Sequence, residues 1–148
     1  MKVVILKTVL LKYKKTKGGK VITLDITPSI PVDRQIIQTY GNFSFKVNDI
    51  IHQNPIIVMQ SETLQWSVER VEDLVVGCFS EIIQARPAIE ILLIGCGRLG
   101  KIIEPDKLAY LKEAQITVEP MDTGAACRTF NVLMAEDRRV AAALIPVG

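Results

Sequence analysis

The sequence predicts a single α/β domain. Residues 21–47 alternate apolar and polar side chains, as strands do. The second half instead switches between short apolar runs and stretches whose apolar residues lie three and four apart. The composition, 49% hydrophobic and 23% charged, is that of a globular chain. At 148 residues the chain is long enough to bury roughly two-thirds of its unfolded surface, so one domain suffices.

The first 20 residues read as a basic N-terminal extension and residues 21–148 as the domain. Lys2, Lys7, Lys12, Lys14, Lys15, Lys17 and Lys20 fall in the extension, which has no acidic residue. Lysines interrupt every apolar core a secretion signal would need, and they exclude a membrane span. The segment therefore reads as a frayed or edge-strand extension ending at Gly18-Gly19. A basic anchor on anionic lipid or on a partner is the alternative, which makes any membrane association through residues 2–20 at most peripheral.

Strands are expected over 21–26 and 43–47, where β-branched and aromatic residues concentrate. Pro28 and Pro31 break the first run, and Asn48-Asp49 forms a turn leading to Ile50-Ile51. Residues 55–59 are continuously apolar, like a strand covered on both faces. Val71, Leu74, Val75, Cys78, Phe79, Ile82 and Ile83 then share one helical face, and Pro87 stops that helix. An apolar strand over 89–94 follows, and Pro105 suits the first turn of a second helix that includes Leu108 and Leu111. A strand over 116–119, a third helix over 125–135 and a closing strand over 140–145 complete the chain. The fold class is thus a three-layer α/β domain with a mixed sheet: an N-terminal antiparallel β layer on a β-α-β-α-β-α-β second half whose crossovers imply mainly parallel pairing.

Several function classes are disfavoured. A net charge of +2 gives no general case for nucleic-acid binding. Cys78, Cys96 and Cys127 are an odd number without paired spacing, so neither a disulfide framework nor a zinc site follows, and a reducing cytoplasm is the expected compartment. His52 is the only histidine and reads as a turn or surface residue, which leaves no multi-histidine metal site and no complete catalytic constellation. No catalytic residue, metal or cofactor is assigned.

Two motifs stand out. Gly95-Cys96-Gly97-Arg98-Leu99-Gly100 follows an apolar strand as a dinucleotide fingerprint does, with Glu119 further on. A fingerprint must run straight into a helix, however, and Pro105 comes too soon for that. The glycines read instead as a loop shaped for close backbone approach. The second motif is Glu119-Pro120-Met121-Asp122-Thr123-Gly124-Ala125-Ala126-Cys127-Arg128-Thr129-Phe130-Asn131, in which Asp122 or Thr123 caps the third helix. Cys127 beside Arg128 is either a thiol with a lowered pKa or a small residue packed on a strand. If strands 89–94 and 116–119 are parallel neighbours, both motifs leave the sheet at one edge and face one crevice. Gly95, Gly97, Arg98, Asp122, Thr123, Cys127 and Arg128 are therefore the candidate ligand- or partner-binding residues.

The run 89–97, the second motif and the ending Arg139-Val140-Ala141-Ala142-Ala143-Leu144-Ile145-Pro146 together resemble a known family. It includes the mitochondrial respiratory complex I assembly factor three, the adipogenesis-associated single-domain protein and many uncharacterised bacterial and archaeal proteins. The resemblance runs from about residue 22 to residue 147 and takes in Tyr40-Gly41 and Gln65-Trp66. It implies a single three-layer α/β domain and carries no established catalytic residues. The first 20 residues lie outside it, and without Arg or Ser they do not resemble a mitochondrial targeting peptide. A bacterial cytoplasmic member is expected.

The leading expectation is a non-enzymatic assembly or protein-interaction factor linked to biogenesis of membrane respiratory complexes, with a protein partner and room for a homo-oligomer. The alternative is a small-molecule-binding protein or minor enzyme using the crevice between loop 95–100 and helix start 122–127. A broad exposed apolar patch favours the first, and a buried charged crevice the second.

Overall fold

Among the described residues, two five-stranded sheets and three α-helices are arranged in three layers. The computed structural model describes residues 3–4, 12–16, 19–24, 30–31 and 33–148. In chain order the elements are β1 (Val3–Val4), β2 (Lys12–Thr16), β3 (Gly19–Thr23), β4 (Ile30–Pro31), β5 (Ile37–Gly41), β6 (Ser44–Val47), β7 (Ile50–His52), β8 (Ile56–Val58), β9 (Thr63–Gln65), α1 (Ser80–Gln84), β10 (Ile91–Gly95), α2 (Pro105–Glu113), β11 (Thr117–Met121), α3 (Thr123–Ala135) and β12 (Val140–Leu144). The short β1 and β4 pair with each other.

The N-terminal layer is antiparallel throughout, in the order β2-β3-β5-β6-β7. The basic segment contributes β2 and the start of β3, while residues 25–29, including Pro28, lie outside the described residues. Asn48 and Asp49 both adopt positive φ, as a two-residue hairpin between β6 and β7 requires. Asn48 also accepts from the Ile36 N–H at 2.7 Å and donates to the Arg34 carbonyl at 3.0 Å, anchoring the turn. Phe43, expected to open a strand, sits instead at φ 54° in the β5–β6 turn.

The second sheet is mixed, in the order β11-β10-β12-β8-β9. β10 pairs in parallel with β11 and β12, and α2 and α3 supply the crossovers. β8 runs antiparallel to β12, so parallel pairing is confined to three strands. The chain leaves β8 by a tight turn closed from the Met59 N–H to the Glu62 carbonyl, into the short strand β9, which the periodicity did not reveal.

The helix expected over 71–83 is broken. Val71–Asp73 and Val76–Phe79 form separate 3-10 turns before the short α1. Leu74 and Val75 between them are extended. Val75, Val76 and Gly77 are poor helix formers, and the Trp66 indole N–H takes the Cys78 carbonyl at 2.9 Å, which a continuous helix would use internally. The apolar spacing still marks burial: Val71, Leu74, Cys78, Phe79 and Ile82 are buried, whereas Val75 is 63% exposed.

The mixed sheet divides the core. Ile57, Leu92, Ile94, Ala141 and Ala143 face Trp66, Phe79, Ile82 and Leu111. On the other face, Ile56, Val58, Leu93, Ala142 and Leu144 meet α3 through Ala126, Cys127, Phe130 and Met134, and the antiparallel sheet through Ile37, Phe45 and Val47. α3 thus touches both sheets. Its buried Asn131 accepts from the Ile37 N–H at 3.1 Å and donates to the Ile37 carbonyl at 2.8 Å, pairing with β5 as a neighbouring strand would.

Replacing Asn131 by Ala leaves both groups of Ile37 buried without partners. Equilibrium denaturation of Asn131→Ala is expected to show a loss of roughly 2–6 kcal/mol, since each of the two orphaned buried groups costs about 1–3 kcal/mol.

Candidate functional site

The carboxyl ends of three parallel strands meet where the two sequence motifs were expected to converge. In the β10–β11 register Gly95 stands beside Met121, and in the β10–β12 register beside Leu144. The Cys96 N–H donates to the Met121 carbonyl at 2.8 Å, and the Ile145 N–H to the Gly95 carbonyl at 3.0 Å. Thr123 closes this end. Its N–H donates to the Gly97 carbonyl at 2.8 Å, and its hydroxyl accepts from the Gly97 N–H at 2.9 Å while donating to the Ile145 carbonyl at 2.7 Å.

This clasp explains the glycines. A methyl group at Gly95 would come within 2.9 Å of the Leu144 Cδ2 and 3.1 Å of Thr123. Gly97 has φ +101°, which side chains rarely adopt. The helix that follows starts at Pro105, as the proline predicts, so residues 96–104 form a loop. Gly97 and the fully buried Thr123 pair with each other, and both the Thr123 hydroxyl and the Gly95 carbonyl are taken up by the main chain of Ile145 rather than by an open crevice.

Asp122 is the N-cap of α3, its Oδ1 accepting from the Ala125 N–H at 2.8 Å. Tyr40 lies so close over Gly124 that a methyl group there would be 2.6 Å from the phenolic oxygen. The exposed Arg128 donates to that oxygen at 2.9 Å. Burial pushes the Tyr40 phenol up, opposed by the Arg128 charge. Arg98 is exposed and reaches the main-chain oxygen of Gly148 at 3.3 Å. Cys127 is fully buried, and desolvation drives its thiol well above the ordinary range. The lowered thiol pKa considered for Cys127 is therefore corrected: the side chain is a small residue packed inside the core, where desolvation outweighs the lowering by the neighbouring Arg128 charge.

His52 is the last residue of β7 rather than a turn residue. Its Nε2 is buried without a hydrogen-bond partner, and burial lowers its pKa below 6.5. Among the described residues no group of three His, Cys, Asp or Glu side chains is placed to hold a metal ion. No described helix is long and apolar enough to cross a membrane.

The candidate list missed an apolar surface. Ile102 is 100% exposed and Leu99 75% exposed in loop 96–104. The loop is tied to residues 71–73 by the Lys101–Glu72 ion pair, and α2 by the Lys107 ammonium, which donates to the Glu72 carbonyl at 3.2 Å. Exposed Val75 and Val76 follow directly on that turn. The available signal was positional: bulky aliphatic residues beside glycine and lysine, in a segment that Pro105 keeps from being helix.

Two outcomes test these assignments. If Asp122 acts as a cap, Asp122→Asn is expected to melt close to the parent, whereas Asp122→Ala loses about 1 kcal/mol in denaturant titration. For His52, the unfolded imidazole binds its proton at higher pH than the folded one, so stability is expected to fall as pH drops below about 6.5. His52→Gln should flatten that slope. Glu90, whose carboxyl is held down by hydrogen bonds from Arg138 and Arg139, titrates below its ordinary 4.5 and leaves the window separate.

Comparison with known proteins bears on the identity of the fold. A frog (Xenopus tropicalis) protein, NADH dehydrogenase [ubiquinone] 1 alpha subcomplex assembly factor 3, is 36% identical over 110 residues, which cover 74% of this chain and 60% of the relative. The zebrafish (Danio rerio) protein of the same name is 37% identical over 111 residues, covering 75% and 64%. The chain thus spans less than two-thirds of the length of these relatives. A crystal structure of a Bordetella parapertussis protein superimposes with a TM-score of 0.71 at 33% identity, covering 78% of this chain and 99% of that one. Residues 37–145 match the family described as protein of unknown function DUF498/DUF598, and the chain belongs to that family.

Proposed function

We propose that this chain is a non-enzymatic protein-interaction factor that serves the assembly of membrane respiratory complexes from the cytoplasmic side, and that it engages its partner through loop 96–104. The observation that carries the reading is the exposure of Ile102 and Leu99. Large aliphatic side chains presented to water beside Arg98 and Lys101 are what a docking surface needs, since apolar contact supplies the affinity and a charged rim the orientation. Of the polar groups expected to serve a small ligand, the Gly97 N–H and the Thr123 hydroxyl are instead used within the clasp, and Asp122 caps α3. The names of the curated relatives support the assembly role, and the basic N-terminal extension suits a peripheral approach to an anionic membrane.

The test is quantitative capture of respiratory-complex components from the native cell by tagged protein. Wild type is expected to enrich them, and the double variant Leu99→Ser/Ile102→Ser to lose most of that enrichment. Its melting temperature should stay near the parent value, because exposed substitutions usually change stability by no more than about 0.5 kcal/mol. Equal capture by the variant, or no enrichment by wild type, would reject the reading.

A further inference from the structure

The four edges of the two five-stranded sheets are not alike. The sequence of β2, Lys12-Tyr13-Lys14-Lys15-Thr16, is rich in lysine, and β11 carries Glu119 and Pro120. Charge and proline are the common devices that keep an edge from pairing with another chain. β7, Ile50-Ile51-His52, and β9, Thr63-Leu64-Gln65, have neither. Among the described residues both end their sheets, and Ile50 and Ile51 are 61% and 66% exposed.

The two undefended edges converge. Ile51, His52, Gln53, Asn54, Ile56 and Gln65 line one open groove of about 460 Å³. Its chemistry is uncharged. Three primary amides combine donors and acceptors as a peptide unit does, and the exposed Ile51 offers apolar contact. No acid, lysine or arginine lines it, and the low pKa of His52 keeps that imidazole neutral near pH 7. Phosphate groups and nucleic acid, which are held mainly by cationic side chains, do not suit such a lining. An extended main chain does, because strand addition draws its affinity from edge N–H and C=O groups and its selectivity from alternate side-chain positions.

We propose that the groove between β7 and β9 receives an extended, uncharged peptide segment of a protein partner, which joins the antiparallel sheet as a strand beside β7. An apolar side chain of the peptide rests on the exposed Ile51, and its main chain is read by Gln53, Asn54 and Gln65. The proposal rests on the reading of this chain as an interaction protein, but its site shares no residue with loop 96–104.

The experiment uses purified full-length protein and, as probe, a blocked hexapeptide of alternating threonine and valine, followed by amide chemical shifts in heteronuclear NMR. Saturable shifts are expected at residues 50–56 and 63–65, with millimolar affinity because a short flexible peptide must be ordered on binding. Ile51→Lys, which arms the edge with a charge, should weaken binding about tenfold or more while leaving the melting temperature and distant resonances unchanged. Gln65→Ala, which leaves β7 untouched, should weaken it several-fold. Absence of saturable shifts, shifts located elsewhere, or parental affinity in both variants would overturn the proposal. Concentration-dependent shifts of the same residues without peptide would assign the groove to a second copy of the chain and overturn it equally. Peptide binding that survives Leu99→Ser/Ile102→Ser, or capture of respiratory components that survives Ile51→Lys, tells the failure of one reading from that of the other.

Discussion

Helix α3 packs against both sheets at once, and that double contact dictates the residue types along it. Toward the mixed sheet it presents Ala126, Cys127, Phe130 and Met134, which interlock with Leu93, Ala142 and Leu144. Toward the antiparallel sheet it presents Gly124 beneath Tyr40 and Asn131 against the backbone of Ile37. A helix cannot continue a β ladder with its own main chain, because its N–H and C=O groups are already paired. The Asn131 amide supplies the missing donor and acceptor in one side chain, at a place where β5 shifts register between Ile37 and Thr39. The small residues at the start of α3 follow from the same demand for close approach.

The clasp at Thr123 applies that logic to the strand ends. Three parallel strands finishing side by side leave carbonyls and N–H groups that a buried sheet end must satisfy. One hydroxyl answers two of them, accepting from Gly97 and donating to Ile145. Gly95 has to be glycine-sized for Thr123 and Leu144 to reach that position. A dinucleotide fingerprint uses glycines for a similar purpose, to let a backbone come near a bulky group. Here the group that comes near is the protein's own threonine, which is why the pattern resembles a cofactor motif from sequence and is a packing device in the fold.

What was legible in the sequence is what depends on local chemistry. Asn48-Asp49 can take positive φ, Pro105 can open a helix but not sit within one, and Asp122 can cap; each is found where expected. The alternation of apolar runs with helical spacing gave the layers and the parallel β11-β10-β12 block. What escaped depends on distant partners. The bond from Trp66 to the Cys78 carbonyl twelve residues away accompanies the broken helix, β9 is too short to show a period, and the orientation of β8 is settled by its pairing with β12. At the site, the adjacency of Gly95, Gly97, Asp122 and Thr123 followed from strand order. The burial of Cys127 against the mixed sheet and the contact of Arg128 with Tyr40 of the antiparallel sheet depend on distant strands, about which the helix sequence says nothing.

Loop 96–104 acquires a particular freedom from this construction. Its entry is fixed at Gly97 by Thr123, and its exit is fixed independently by Pro105 at the start of α2. Between those two points Ile103 is the buried side chain, while Arg98, Leu99, Lys101 and Ile102 face solvent. Because surface substitutions away from caps and cores change stability little, these exposed positions can drift in sequence without disturbing the scaffold that presents them. If loop 96–104 is the docking surface proposed above, relatives sharing this framework can diverge by exchanging a few loop side chains, a route to new specificity that leaves folding untouched.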